Sequence, residues 1–493
     1  MSRIEYGKIY DLKAKCDAFS YQHEAFLSLK DKPYAAIFHE QGLGKTKIAI
    51  DLLLYWLERR SIDTVLIVTK KTLVANWVGE FEMHTNLKPK TMDNNKGSNF
   101  YVLNSPVRVI ITNFETVSGE KERMKLFLKT RNVAIVIDES TKIKNPDSKL
   151  TQAFFELAPL FQIRVIMTGT PVANRPYDIW SQIYFLDQGE SLGNDFNDFK
   201  KTCDLSNDLA SNEDKRNQFE KTVSGIFEKI RKFTVRETKS SGIITLPSKI
   251  YHDETIGFEK QQYEMYEHIR IEMEIEIKKG DLTILDESPD SIKRLLRLVQ
   301  VTSNPRLLDD SYSTISAKEF LLERLISRIM EQGEKVIVWS IFTGNIDMFC
   351  KKYKEYNSVK ITGKMNVEER NRSVKEFKEG DAKILFATPQ SAKEGLTLTV
   401  ANNAIFYDRG FNLDDYLQAQ DRIHRISQKK DCNIYNLMVE DSIDIWVDYL
   451  LKAKQRAAFL AQGDISLSTY QHDADYSFSN IVHEILNINK NGN

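Results

Sequence analysis

A chain of 493 residues is too long for one hydrophobic core and predicts two or three domains of ordinary size. Because 69 Lys and Arg residues balance 70 Asp and Glu residues, the composition excludes nucleic-acid binding through a global positive field and leaves only local basic surface for that purpose. The four cysteines form no C-x-x-C pair, the first 20 residues hold no apolar signal segment and no run of about 18 apolar residues occurs, so we expect no zinc site, no membrane partner and a soluble, cytoplasmic protein.

The first predicted elements are a short buried strand, a glycine-bearing loop and a helix. Residues 35–38 are apolar enough for a buried strand, and residues 39–46, which read HEQGLGKT, follow at the start of a segment with helical apolar spacing. Backbone N–H groups at such a helix start bind phosphates, so the pattern predicts an ATP site in which Lys45 contacts the β- and γ-phosphates and Thr46 binds Mg²⁺. His39 takes the place of the first glycine in the general G-x-x-x-x-G-K-[ST] pattern. The predicted nucleotide-binding residues of the loop are Gly42, Gly44, Lys45 and Thr46.

A parallel α/β sheet is predicted for the first part of the chain, because strands there alternate with helix-length segments. Ligands bind at the carboxyl ends of the strands in such sheets. The strand at residues 134–137 ends in two carboxylates, Asp138 and Glu139. Asp138 could hold Mg²⁺, directly or through water, and Glu139 could orient the water that attacks the γ-phosphate. The other strands predicted for this sheet are residues 65–68, 109–111 and 165–167.

Three sequence blocks resemble motifs of the Swi/Snf-type ATPases of helicase superfamily two. The loop HEQGLGKT is similar to the family's D-E-x-G-L-G-K-T, residues 138–145 (DESTKIKN) to its D-E-A-H and R-I-K-N segments, and residues 168–171 (TGTP) to its coupling motif. The resemblance runs from about residue 21 to residue 454 and implies an α/β fold of two RecA-like parallel-sheet lobes in tandem with helical insertions. Ser140 and Thr141 replace the usual Ala-His pair, so the contact from that histidine to the coupling motif would have to be made by the threonine hydroxyl.

The resemblance implies further site residues in the first lobe. Gln22 corresponds to the family's adenine-reading glutamine, although by itself it would be read as an ordinary surface residue. Residues 68–71 (VTKK) resemble the first DNA-contact motif of the family. The segment 185–329 is charged and helical with few strand signals, and we interpret it as insertions and a linker. The candidate DNA contacts of this lobe are Lys70, Lys71, Thr112 and Asn113.

A second parallel sheet without a phosphate loop is predicted from strands at residues 335–340, 383–387, 404–407 and 434–437. Residues 418–428 (QAQDRIHRISQ) resemble the family's Q-A-x-x-R-x-H-R-x-G-Q motif. Arg422 and Arg425 lie three apart and would share one face if this segment is helical, and their guanidinium groups could stabilise charge on a transferring phosphoryl group. Together with Gln418, they are predicted to complete the ATP site from the second lobe.

The predicted function is a Mg-ATP-dependent motor that moves on duplex DNA. In the second lobe, residues 388–398 resemble the motif that contacts the tracking strand, which makes Ser391 and Lys393 candidate DNA contacts. Phosphate contacts carry no base information, so binding should be independent of sequence and sensitive to salt. A strand-separating or annealing helicase, an ATP-gated binding component of a larger complex, and an RNA substrate remain alternatives. The predicted domains are a first lobe at 1–240, a helical linker at 241–325, a second lobe at 326–462 and a polar tail at 463–493.

Overall fold

The computed structural model describes residues 11–205, 208–242, 246–278, 289–391 and 396–473. These residues form two compact units. The first unit contains the described residues of Met1–Asp204, Gln218–Thr245 and Ala457–Leu467, and the second contains those of Leu205–Asn217, Leu246–Arg456 and Ser468–Asn493. The chain therefore passes between the two units more than once, and residues 457–467 return to the first unit, which was not predicted from the sequence.

The first unit is built on a parallel sheet of seven strands in the order β3-β4-β2-β5-β6-β1-β7. All five strands predicted from the sequence are present. Strands β3 and β7 were not predicted, because each has two residues, which are too few to show a strand pattern. The strands are β1 (Tyr34–Ile37), β2 (Thr64–Thr69), β3 (Lys90–Thr91), β4 (Val109–Asn113), β5 (Val133–Asp138), β6 (Ile163–Met167) and β7 (Thr234–Val235).

The second unit is built on a parallel sheet of six strands in the order β10-β11-β9-β12-β13-β8. Its four predicted strands are confirmed. Strand β8 lies inside the predicted helical linker, and it was missed because an edge strand is covered on one side only and keeps polar side chains. The strands are β8 (Lys249–Ile256), β9 (Val336–Trp339), β10 (Val359–Ile361), β11 (Ile384–Ala387), β12 (Asn403–Phe406) and β13 (Cys432–Val439).

Helices connect the strands of both sheets, as the predicted α/β class requires. None of the helices in the described part of the chain is long and apolar enough to cross a membrane. The helices are α1 (Ser20–Leu29), α2 (Lys45–Glu58), α3 (Val74–His84), α4 (Lys96–Asn104), α5 (Phe114–Gly119), α6 (Lys121–Thr130), α7 (Lys149–Leu157), α8 (Trp180–Asp187), α9 (Phe196–Cys203), α10 (Asp208–Ser211), α11 (Glu213–Ser224), α12 (Ile226–Ile230), α13 (Lys260–Lys278), α14 (Pro289–Ser303), α15 (Ala317–Glu331), α16 (Thr343–Lys352), α17 (Val367–Glu379), α18 (Leu413–Gln420), α19 (Ile443–Ala461) and α20 (Leu467–Asp473).

The core of the first unit lies between its sheet and the helices that cover it. The central strands are apolar on both faces, since they are buried on both, which is typical of parallel sheets. Helix α2 contributes Ile48, Leu52 and Trp56, all buried, to the cluster that packs against β1, β2 and β5. This packing fixes the start of α2, and with it the preceding loop, at the carboxyl ends of the strands.

Candidate functional site

The predicted phosphate loop connects β1 to α2, as expected from the strand, loop and helix predicted for this segment. Gly42 (φ 89°) and Gly44 (φ 68°) have left-handed backbones, which favour glycine because a side chain there is strained. A Cβ atom on Gly44 would lie 2.2 Å from Nε2, at the flexible end of the Gln22 side chain, so a substitution there would displace Gln22 from the loop. The left-handed backbone is therefore the reason that the loop favours glycine at position 44.

Gln22 is buried directly beside this loop. Its Nε2 donates to the carbonyl of Leu43 (3.4 Å), and its Oε1 accepts the N–H of Phe19 (3.0 Å). The hydroxyl of Tyr21 donates to the same Leu43 carbonyl (3.2 Å). The interpretation of Gln22 as an ordinary surface residue is therefore wrong, because α1 packs on α2 and brings this side chain to the loop. Its contact with adenine stays a prediction.

Lys45 and His39 lie at opposite ends of the loop, and Lys45 both bonds to the His39 carbonyl and affects the pKa of the His39 side chain. The Nζ atom of Lys45 donates to the carbonyls of His39 (3.0 Å) and Glu40 (3.4 Å), so the ammonium group lies across the loop. The His39 side chain is 1% exposed. Burial, and after it the positive charge of Lys45, lowers the pKa of His39 from 6.5 to about 4. The imidazole is therefore neutral at physiological pH.

We expect His39 to make the protein less stable in mild acid. Its pKa is lowered on folding, so the unfolded chain binds more protons between pH 6.5 and pH 4, and the free energy of unfolding rises with pH across that range. Between pH 7 and pH 5 the loss from this one group is about 2 kcal/mol. Denaturant unfolding of the wild type and of His39→Asn at both pH values measures this loss. Between pH 7 and pH 5 the free energy of unfolding of the variant should fall by about 2 kcal/mol less than that of the wild type. Equal losses in the two proteins would contradict the expectation.

The two predicted carboxylates lie at the end of β5. Oδ2 of Asp138 accepts hydrogen bonds from Thr69 Oγ1 (3.2 Å) and Trp77 Nε1 (2.9 Å). Burial, and after it the charge of Glu139, raises the pKa of Asp138 to about 6. Glu139 itself has a left-handed backbone (φ 57°, ψ 53°), which is unusual for a residue with a side chain. Its Oε2 lies 3.9 Å from Nζ of Lys70, so this predicted DNA contact is placed beside the carboxylate pair.

The oxygen atoms at this edge of the sheet are suitable ligands for Mg²⁺, the ion that would be bound together with ATP. In the part of the chain that the structure describes, the Thr46 hydroxyl and Oδ1 of Asp138 make no hydrogen bond and are free to bind a cation. Both are oxygen donors, as this ion requires. A cation would also offset the burial and the neighbouring charge that raise the pKa of Asp138.

The TGTP loop lies between the phosphate loop and the carboxylates. Strand β6, which precedes it, pairs with β1 on one side and β5 on the other. Gly169 packs on the phosphate loop so closely that a Cβ atom there would lie 2.9 Å from the backbone nitrogen of Gln41. The three sequence blocks that resemble family motifs therefore meet at one edge of the sheet, as expected for loops at the carboxyl ends of parallel strands.

The link from the carboxylates to the TGTP loop differs from the predicted one. The connection is made by Ser140 and not by the Thr141 hydroxyl, because the 3-10 turn after Glu139 directs Ser140 into the interior. Its hydroxyl donates to Oε1 of Gln182 (2.7 Å), whose Nε2 donates to the carbonyl of Pro171 (2.7 Å). Gln182 was not predicted as a functional residue, although one glutamine in the apolar run of α8 was a usable signal.

The predicted DNA contacts of the first unit divide into accessible and buried residues. Lys71, which is exposed, and Asn113, which is 4% exposed and whose Oδ1 accepts the N–H of Thr116 (2.9 Å), line a cavity of about 560 Å³ at the carboxyl ends of β2, β3 and β4. Thr112 is fully buried and its hydroxyl donates to the carbonyl of Met92 (3.1 Å), so a side-chain contact with DNA is not supported. The physical reason is strand alternation, since neighbouring residues of β4 point to opposite faces. The other lining residues of the cavity are Val74, Thr91, Met92, Asp93, Asn94 and Asn95.

The predicted contacts in the 388–398 segment receive little support. Ser391 is buried, and its hydroxyl lies within hydrogen-bond distance of the carbonyls of Ile361 (3.0 Å) and Thr388 (2.9 Å). Its side chain is therefore occupied inside the second unit. Lys393 lies outside the described residues.

The three residues predicted to complete the ATP site lie in the second unit and do not share a helix face. Helix α18 ends at Gln420, so Arg422 and Arg425 lie in the turns that follow it, and the helical arrangement considered for them is wrong. Arg422 is 1% exposed and donates to the carbonyl of Leu396 (3.4 Å), whereas Arg425 is half-buried and donates to the hydroxyl of Thr397 (2.8 Å). Gln418 is buried and donates to Asp414 (2.7 Å).

Comparison with known proteins identifies the family. The family profile described as "SNF2-related domain" matches residues 24–307, which is more than half of the chain. The chain belongs to the SNF2-related family. A second profile, "Helicase conserved C-terminal domain", matches residues 317–427. The predicted resemblance to Swi/Snf-type ATPases is thus confirmed, and the two matches fall in the order of the two lobes predicted from the sequence.

Relatives of this SNF2-related chain include proteins from very different organisms. The ISWI chromatin-remodeling complex ATPase ISW1 of Saccharomyces cerevisiae is 25% identical over 94% of this chain and 42% of its own length. An uncharacterized ATP-dependent helicase of Mycoplasma pneumoniae is 28% identical over 92% of this chain and 42% of its own length. The SWI2/SNF2 ATPase core of Sulfolobus solfataricus, solved in complex with dsDNA, is 22% identical, with 97% of this chain and 99% of that chain covered and a TM-score of 0.43. The chain spans about two fifths of the length of these curated relatives.

Proposed function

We propose that this chain is a DNA-stimulated ATP hydrolase that moves along duplex DNA. The observation that carries the proposal is the meeting of the phosphate loop, the Asp138–Glu139 pair and the TGTP loop at one edge of the first sheet. The cavity lined by Lys71 and Asn113 lies at the carboxyl ends of strands in the same parallel sheet. Membership of the SNF2-related family supports the same activity.

Residues of the first unit would bind ATP and prepare the attacking water. Lys45 would exchange its bonds to the loop carbonyls for the β- and γ-phosphates, and Gly42 and Gly44 would let the backbone approach them. Thr46 and Asp138 would hold Mg²⁺, which offsets negative charge on the phosphates when bound. Glu139 would accept a hydrogen bond from the water and orient it toward the γ-phosphate.

Gln418, Arg422 and Arg425 are proposed to act on the same reaction from the second unit. A guanidinium group is planar and permanently charged, and it suits the charge that spreads over a transferring phosphoryl group. Because Arg422 is buried, its participation requires a conformation of the second unit in which this side chain is released from the Leu396 carbonyl. Arg425 is half-buried and would leave its bonds to the Thr397 hydroxyl and the Asp421 carbonyl.

DNA is proposed to bind through its phosphates and without sequence preference. Lys71 is exposed at the rim of the cavity, and its ammonium group suits phosphate oxygens. Asn113 also lines the cavity, but it is buried and its Oδ1 caps α5, so a contact with phosphate would use its Nδ2 group and requires that the side chain become accessible. The near-zero net charge of the chain makes such local contacts the source of affinity. Chromatin remodelling by the relative from yeast belongs to a protein more than twice as long, so the pathway of this chain is left open.

Lys71→Ala is expected to weaken binding to all duplex sequences by a similar factor. Removing one phosphate contact should also lower the slope of log affinity against log salt by about 1. Fluorescence anisotropy with two unrelated duplexes at several salt concentrations measures both quantities. Lys129→Ala is the matched control, because Lys129 is an exposed lysine on α6 that does not line the cavity. A loss confined to one duplex, or an equal loss in the control, would contradict a phosphate contact.

Steady-state ATP hydrolysis with no nucleic acid, single-stranded DNA, duplex DNA and RNA tests the proposed function. Strong stimulation of ATP hydrolysis by duplex DNA supports the proposed function. Stimulation by RNA alone would show that the protein acts on RNA and not on DNA. No stimulation by any nucleic acid would favour the ATP-gated binding component. A triplex-displacement assay and a strand-separation assay with labelled oligonucleotides then distinguish movement on duplex DNA from unwinding or annealing.

A further inference from the structure

The backbone of Glu139 has a left-handed conformation, which is maintained by contacts with neighbouring residues. A left-handed backbone at a residue with a side chain carries strain and persists only where the surroundings fix it. The next residue, Ser140, is completely buried and forms a 2.7 Å hydrogen bond to Gln182. The support for Glu139 therefore comes in part from α8, a helix far from it in sequence.

Gln182 satisfies three polar groups at once. Its Oε1 accepts the Ser140 hydroxyl, and its Nε2 donates to the carbonyls of Pro171 (2.7 Å) and Asp178 (2.9 Å). The side chain is completely buried. One amide thus connects the residue after Glu139 to the last residue of the TGTP loop.

A second connection runs parallel to the first. Lys144, six residues after Asp138, donates to Asp178 (3.1 Å), which also accepts the N–H of Asn174 (2.9 Å). Asn174 lies three residues after the TGTP loop, and Gly169 within that loop is in close contact with the phosphate loop. The TGTP loop is therefore held against the carboxylate segment on one side and against the phosphate loop on the other.

We propose that Ser140 and Gln182 are positioning residues that hold the Glu139 carboxylate and the TGTP loop in register for ATP hydrolysis. This inference rests on the proposed function, because it assigns a role within that reaction. Both side chains are buried and neither is expected to touch ATP, so they act through Glu139 and Pro171. Small displacements of an orienting group lower the turnover rate more than they weaken substrate binding.

The test compares Ser140→Ala, Gln182→Met and the double variant in the full chain. Each single variant leaves a buried polar partner behind and should lower the thermal midpoint, while the double variant, which removes both sides of the Ser140–Gln182 bond, should recover part of it. We expect kcat to fall about tenfold in all three while KM for ATP changes little. Because both residues belong to one connection, the double variant should be no slower than the slower single variant.

Gln152→Met is the control for the same substitution at an exposed position of the first unit. Gln152 donates to a proline carbonyl, that of Pro146, in the same unit, but it is not joined to Ser140. The control should keep the wild-type kcat. A double variant that recovers kcat together with its thermal midpoint would overturn the inference, since the connection would then matter for stability alone. Single variants with wild-type kcat would also overturn it. A wild type without nucleic-acid-stimulated hydrolysis would instead overturn the proposed function.

Discussion

Glu139→Gln is expected to lower kcat for DNA-stimulated ATP hydrolysis by a factor of about 10² to 10⁴, the range for loss of a positioned acid-base group. The amide keeps the size and approximate shape of the side chain but is a much weaker base. ATP affinity should stay close to wild type, because Lys45, Thr46 and the loop glycines are unchanged. Single-turnover hydrolysis and titration with a fluorescent ATP analogue measure the two quantities separately.

The control for this variant is Glu122→Gln, which alters an exposed glutamate on α6. It should hydrolyse ATP at the wild-type rate. If Glu139→Gln kept a wild-type kcat, Glu139 would not be the group that orients the water. If it lost ATP binding to the same degree as kcat, the carboxylate would matter for assembly of the site.

Lys45→Met is expected to lose both nucleotide affinity and turnover, with kcat/KM reduced by about 10³. The ammonium is the cation of the loop, and its charge also opposes the rise in the pKa of Asp138. Methionine has nearly the same length and no charge, so binding of the phosphates loses its main electrostatic contribution. Calorimetric or fluorescence titration with ATP and Mg²⁺ measures affinity, and steady-state hydrolysis measures kcat/KM.

Lys129→Met serves as the control for Lys45→Met, since it removes an exposed lysine elsewhere in the first unit. An unchanged thermal midpoint in Lys45→Met would show that the loop still folds. Wild-type affinity for ATP in this variant would contradict the assignment of residues 39–46 as the phosphate loop. Opposite behaviour of the two variants, with binding kept in Glu139→Gln and lost in Lys45→Met, would separate the chemical step from binding.

Local patterns in the sequence were enough to place most of the first sheet. The strands around residues 65–68, 109–111, 134–137 and 165–167 are apolar runs of ordinary length, and each was found with a shift of at most two residues at an end. Strand β8 shows the opposite case. It is an edge strand with the sequence KIYHDETI, whose polar residues hide the strand pattern, and only its pairing with β13 makes it part of the second sheet.

The burial of individual polar side chains could not be inferred from their neighbours in sequence. Gln22, Thr112 and Ser391 were each assigned an accessible role or surface, and each is buried with hydrogen bonds inside the protein. Burial depends on which helix or strand packs over a residue, and that is decided by contacts between segments distant in the sequence. The same reason explains why Arg422 is enclosed while Arg425, three residues later, is half-buried.

The sequence by itself predicted the fold class and the family, which are confirmed, and it located the candidate phosphate loop and carboxylate pair, because these depend on short patterns whose residue types are required by geometry or by charge. Only the tertiary structure decided that Ser140 and Gln182, which are 42 residues apart, connect Glu139 to the TGTP loop. The hydrogen bond between these two buried side chains forms only after α8 packs against the turn that follows β5. The sequence pattern around either residue therefore does not predict the other.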